Sequence, residues 1–216
     1  MASALSLCAC AGSALPTAPS AALADTLPGV AGTFDLAFYQ AFVQNGYDAP
    51  GQLEPVRRLP GPLRIYLRTE DDAGRAIDAI TIEATARVLL ESATIWSGEQ
   101  FGVAELARGT GTREKVPGWL TVKWSATTDL GRCGRSTVGV DGGFIEFNDQ
   151  AECSCGLASR IYPRLVRHEL GHAMGYYHTD RETDVMYGRV ISPDSCDLQP
   201  SERERRHARF FYTESH

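Results

Sequence analysis

Val166 to Asp180 reads VRHELGHAMGYYHTD and holds three of the chain's five histidines, with a glutamate directly after the first of them. His168 and His172 are four apart, so on a helix their imidazoles leave one face and can grip one ion. Glu169 then lies beside that ion and outside its ligand set, where a carboxylate serves as a general base. A zinc ion held by imidazole nitrogens at about 2.0–2.1 Å needs a third protein ligand and an open position if it is to be catalytic. Gly175 supplies the route to that ligand, because glycine adopts the left-handed conformation that ends a helix and turns the chain sharply. His178 completes the set. The competing reading, a His-rich turn of an ordinary helix, has no need of that glycine and that third histidine at those offsets.

These residues need elements to hold them. FDLAFYQAFVQNGY carries Leu36, Phe38, Tyr39, Phe42 and Val43 at near-helical spacing, and Asn45-Gly46 supplies a stop. After a Pro/Gly-rich connection from Ala49 to Pro62, LRIYLRT (63–69) alternates as a strand does. AIDAITIEATARVLLESATIWSG predicts the longest helix, with Ile77, Ile80, Ala84, Val88, Ile95 and Trp96 on its apolar period. QFGVAEL and WLTVKWS predict two further strands, and STVGV and GFIEF flank the turn signal DGG. QPSERERRHARFFY closes the chain as a helix capped by Ser201. Its interleaved glutamates and arginines read as a solvated face, with His207 and His216 on the surface.

With the elements in that order, HELGHAMGYYH resembles the HExxHxxGxxH zinc signature of the metzincin metalloproteases, and DVMYG, with Met186 eight residues after His178, resembles their Met-turn. Tyr187 directly after the methionine is most similar to the matrixin branch and its bacterial relatives. The resemblance covers about Gly61 to Tyr187. It implies an α+β, zincin-type catalytic domain: a twisted mixed sheet with a long backing helix, an active-site helix and a C-terminal helix. By the same comparison WLTVKWS is the third strand, STVGV the edge strand over the cleft and GFIEF the last strand before the active-site helix. His168, His172 and His178 become the zinc ligands, Glu169 the base, Met186 the floor beneath the imidazoles, and Tyr187 a pocket-wall residue or oxyanion donor.

The departures are specific. Gly188 stands where matrixins usually have proline, which alters the wall of the specificity pocket. Their second, structural zinc uses histidines upstream of the active-site helix, and no histidine here precedes His168. RCG (132–134) resembles the latency peptide of matrixin zymogens but sits inside the catalytic span, so Cys133 is expected in a disulfide. Asp180, two residues after His178, matches a functional aspartate of the snapalysin branch; it either orients a ligand or sits on a solvated turn.

Length and composition bound the rest. At 216 residues and 43% hydrophobic composition the chain can bury one sizeable core. A dispersed net charge of −6 recruits neither nucleic acid nor an anionic membrane. Residues 1–24 are small, apolar and uncharged and read as a signal or lipoprotein signal segment. No Lys or Arg precedes the apolar part, so either the true start is upstream or the signal is weak. LCAC (7–10) leaves lipidation and plain secretion open. Residues 25–60 form a linker and N-terminal helical extension, and 61–216 the catalytic domain. Beyond Cys8 and Cys10, the four cysteines Cys133, Cys153, Cys155 and Cys196 suit two disulfides in an exported, bacterial chain, with three connectivities open and Cys153 and Cys155 expected on different partners. A zinc ribbon is the rival, though CSC lacks the two-residue gap of the usual metal knuckle. The expectation is a monomeric, exported zinc endopeptidase that takes one catalytic Zn2+ and a peptide or protein substrate. Nothing indicates structural Ca2+ or a nucleic-acid partner, and a membrane is met only through an N-terminal lipid anchor. The rivals are a cell-surface zinc-binding or adhesion module that keeps the fold without turnover, and a zinc hydrolase of non-peptide amides.

Overall fold

The computed structural model describes residues 34–126, 133–148, 155–159, 161–189 and 195–213. The signal segment, the tether that follows it, Cys8, Cys10, Cys153 and His216 lie outside them. Helix α1 spans Leu36–Gln44; Asp35 caps it by accepting from Phe38 N, and Asn45 ends it in the left-handed region at φ 60°. Strand β1 (Leu63–Asp71) leads to helix α2 (Ala79–Trp96), which Asp78 caps, and then to β2 (Val103–Gly109), β3 (Trp119–Ser125), β4 (Gly134–Ser136) and β5 (Phe144–Asn148). Helices α3 (Pro163–Met174) and α4 (Glu202–Thr213) follow. The strands form one mixed sheet in the order β2-β1-β3-β5-β4, parallel except for β4, which runs antiparallel to β5 at one edge. The expected mixed α+β architecture is therefore present, and no described helix is long and apolar enough to cross a membrane.

Parallel strands leave both faces to be covered. On one face Ile65, Leu67, Leu120, Val122, Trp124, Ile145 and Phe147 are buried in the core shared with α2 and α3. On the other, Tyr66, Trp119 and Phe144 are covered by cations instead of a helix: the Arg64 guanidinium lies 4.2 Å from the Trp119 ring and Lys123 Nζ 4.1 Å from Phe144. One layer of helices therefore suffices.

Three sequence expectations need correction. The buried face of α2 is Thr81, Ile82, Thr85, Ala86, Val88, Leu89, Ser92, Ala93 and Trp96, whereas Ile80 is 62% exposed. Three of these, Thr81, Thr85 and Ser92, are small hydroxyl residues, which an apolar period does not register. Strand β4 is GRS at 134–136, largely ahead of the expected STVGV. Helix α4 is not a solvated charged run: Glu204 and His207 are buried, the latter between Phe38 and Phe210. His207 Nε2 accepts from Asp35 N and its Nδ1 bonds Arg203 O, which ties α4 to the start of α1.

Ser201 does cap α4, as half of a reciprocal pair: Glu204 N donates to Ser201 Oγ and Ser201 N to Glu204 Oε2. The same carboxylate accepts from Val185 N at 3.1 Å and Met186 N at 2.8 Å, so the last helix holds the turn under α3. Burial, with Asp184 nearby, pushes the Glu204 carboxyl up to about 7 while the backbone donors oppose it. A glutamine at 204 turns an NH2 toward a backbone N–H and orphans a buried donor. Glu204→Gln is expected to cost about 1–3 kcal/mol in urea unfolding, and an unchanged midpoint would count against this clamp.

Candidate metal centre

Pro163 at the first turn starts α3 without needing its missing N–H, and Gly175 ends it at φ 110°. A Cβ on Gly175 would sit 2.0 Å from Arg57 O, so both the conformation and the space at this position require glycine. After that turn Tyr177 N donates to Phe42 O, Tyr176 stacks on Phe42, and the Tyr176 hydroxyl bonds Trp96 O. The chain returns to α3 with His178 facing His168 and His172.

The three histidines offer ring nitrogens that all lie within 4.8 Å of one another. His168 Nδ1 is 2.8 Å from Val185 O and His172 Nδ1 is 2.7 Å from Tyr176 O. A carbonyl only accepts, so in the neutral rings each Nδ1 carries the proton and each Nε2 presents a lone pair. Those two Nε2 atoms are 3.1 Å apart. Two facing lone pairs repel unless a cation lies between them, and the separation is close to the about 3.3 Å edge of a tetrahedron with 2.0–2.1 Å arms. His178 Nδ1 is held at 2.7 Å by Asp48 Oδ2, which leaves its Nε2 for the same point. Burial, then the neighbouring imidazoles, pushes His168 well below its ordinary value, and burial and His178 push His172 down to about 4. Both rings therefore stay neutral at physiological pH, the form a metal would require.

Glu169 is buried beside His168, and its Oε2 has no hydrogen-bond partner among the described residues. Burial lifts its carboxyl to about 8. Gly134 of β4 makes room for it: a Cβ there would lie 2.6 Å from Glu169 Oε1. An unpartnered buried carboxylate aimed into a cleft beside three convergent imidazoles fits a zinc ion carrying a water.

Below the helix, Met186 is fully buried, and a Cβ on Gly171 would lie within contact of its sulfur, so the methionine packs directly under the histidine-bearing turn. Gly188 lies against the His178 ring, where a Cβ would stand 3.3 Å from it. Tyr187 lines the cleft and is bridged to Thr179. Asp180 does not reach a histidine; it is exposed and pairs with Arg203 at 2.6 Å. The carboxylate on His178 is instead Asp48, in the segment read from sequence as linker, where no spacing signal marks it. Cys155 is bonded to Cys196, tying the turn before α3 to the segment before α4, and Cys133 is also disulfide-bonded, with a partner outside the described residues.

The cleft over these groups has a volume of about 880 Å³, and its lining includes Asn45 and Asp48, Gly134 to Ser136, and Tyr187 to Arg189. No protein-family model matches the chain, and no curated protein matches it. Among solved structures it is similar to metalloproteinase-II from Bacteroides fragilis, at 13% identity and a TM-score of 0.49, over 74% of this chain and 56% of that one. The chain thus spans little more than half the length of that protein.

Proposed function

We propose that the chain is a zinc-dependent endopeptidase. The observation that carries this reading is the convergence of three imidazoles beside a buried carboxyl oxygen, Glu169 Oε2, that has no partner among the described residues. His168, His172 and His178 would hold the ion, and bound there zinc supplies Lewis acidity and a water of lowered pKa. Glu169 takes the water's proton and returns it to the departing amine, general base and then general acid in one site. Strand β4, at one edge of the described sheet, lines the cleft, and an extended peptide can add to a sheet edge there as a further strand. Met186 supports the histidine-bearing turn from below, and Tyr187 forms the cleft wall. Export, with or without a lipid anchor, belongs to the same proposal and is supported by the disulfides and by the composition of residues 1–24.

Purified protein is expected to contain one zinc per chain, to cleave an unfolded protein substrate, and to lose that cleavage on chelation and regain it on adding zinc. Metal analysis with a broad peptide library checks this. Stoichiometric zinc without any cleavage would turn the reading to a surface binding module, and absence of zinc binding would remove it.

A further inference from the structure

We propose that Asp48 is a positioning residue of the metal centre, supplied by the segment ahead of the sheet to fix the tautomer and the aim of His178. The inference rests on reading the three imidazoles as metal ligands. The two helical histidines are oriented from within the site: their Nδ1 partners, Val185 O and Tyr176 O, belong to the turn below α3 and the chain just after it. His178 has no such local acceptor. Its Nδ1 meets a carboxylate 130 residues earlier, Asp48 Oδ2, at 2.7 Å. A carboxylate, like a carbonyl, accepts only, so the neutral His178 ring keeps its proton on Nδ1 and turns the Nε2 lone pair to the point where the other two converge. It also makes the ligand more basic than a carbonyl would, which strengthens its hold on a cation.

The placement of Asp48 is built. Asn45, left-handed at φ 60°, ends α1 and turns the chain, and Ala49 N closes the following turn on Asn45 O at 2.9 Å with Asp48 inside it. Gly46 N returns to Gln40 O, and Glu54 N to Gln44 O, so the loop is pinned at both ends. The segment is docked on the strip that carries His178: Tyr177 N donates to Phe42 O at 2.7 Å, and the Phe42 and Tyr176 rings stack at 4.2 Å with 9° between planes. The Asp48 side chain itself is 47% exposed. A hydrogen bond so exposed adds little to fold stability. Its effect therefore belongs to the metal, and that separates a positioning role from a structural one.

The test uses the full chain with Asp48→Ala and Asp48→Asn. Zinc affinity is measured by competition with a chromophoric chelator. Asp48→Ala is expected to bind zinc about 10–100-fold more weakly, with the thermal unfolding of the metal-free protein unchanged. Asp48→Asn, whose carboxamide oxygen can still accept from Nδ1 but carries no charge, should recover part of the loss. In metal-free protein at alkaline pH, the imidazole 15N shifts of His178 should report an Nδ1-protonated ring in the wild type and a shift toward Nε2 protonation in Asp48→Ala. Unaltered zinc affinity together with an unaltered tautomer would overturn the proposal. Should Asp48→Ala not fold, Asp48→Asn is judged by the same affinity and tautomer comparisons. If the wild type binds no zinc, the metal reading fails, while the tautomer comparison still decides what Asp48 does to His178.

Discussion

Glu169→Ala and Glu169→Gln are expected to retain zinc at one ion per chain and to cleave about 10²–10⁴-fold more slowly than the wild type. The imidazoles do not depend on Glu169 for their orientation, because each Nδ1 is held by another partner. What the variants lose is a buried carboxyl whose Oε2 has no partner among the described residues and can take the proton. The same burial makes the group costly to the fold. Its carboxyl is lifted to about 8 from an ordinary 4.5 by desolvation. Between those values the folded, metal-free chain holds a proton that the unfolded chain has released, so the group lowers stability as pH rises through that window. Glu169→Gln should therefore flatten the fall in metal-free stability between pH 5 and pH 8 while slowing turnover, a gain in fold at the expense of activity. Steady-state cleavage and urea unfolding at the two pH values measure both effects. Cleavage within a few-fold of wild type would remove Glu169 from the mechanism.

Gly175→Ala should be the most disruptive single methyl group near the site. The position has φ 110°, outside what L side chains ordinarily adopt, and the new Cβ would meet Arg57 O at 2.0 Å. That carbonyl has little freedom to retreat: Arg58 donates to Phe211 O and Leu59 is buried. Backbone strain and a backbone clash together are expected to cost about 2–4 kcal/mol, read as a lower urea midpoint. Because His178 is three residues on, zinc affinity should fall with it. A variant with the wild-type midpoint and affinity would mean that the turn relaxes and does not aim the third histidine.

The parts of this molecule that are readable in its sequence are those whose signal is local. The i, i+4 histidines, the glycine that ends their helix, the Asn-Gly that ends α1 and the Ser201 cap each depend on a few neighbouring residues, and each stands where the spacing places it. What could not be read depends on what lies opposite. The buried side of α2 carries Thr81, Thr85 and Ser92 among its apolar residues, and a hydrophobic period does not register small hydroxyl side chains. Glu204 and His207 sit in a run of charge that looks solvated, yet the first serves the backbone of the turn below α3 and the second the start of α1. Asp48 is the extreme case: an aspartate in a Gly/Pro-rich stretch acquires meaning only when the chain returns 130 residues later.

The long reach of these contacts also sets when the centre can exist. The carboxylate on His178 comes from residue 48, the three imidazoles from α3 and the turn after it, and the clamp on the turn beneath them from residue 204 in α4. Contacts so distant in sequence form late, after shorter-range pairings have paid out their chain entropy. A growing chain would carry α3 with its paired histidines well before α4 is available to hold the turn at Val185 and Met186. Until Glu204 docks, Val185 and Met186 lack the carboxylate that holds them, so the geometry of the three imidazoles is completed only when α4 closes over the turn.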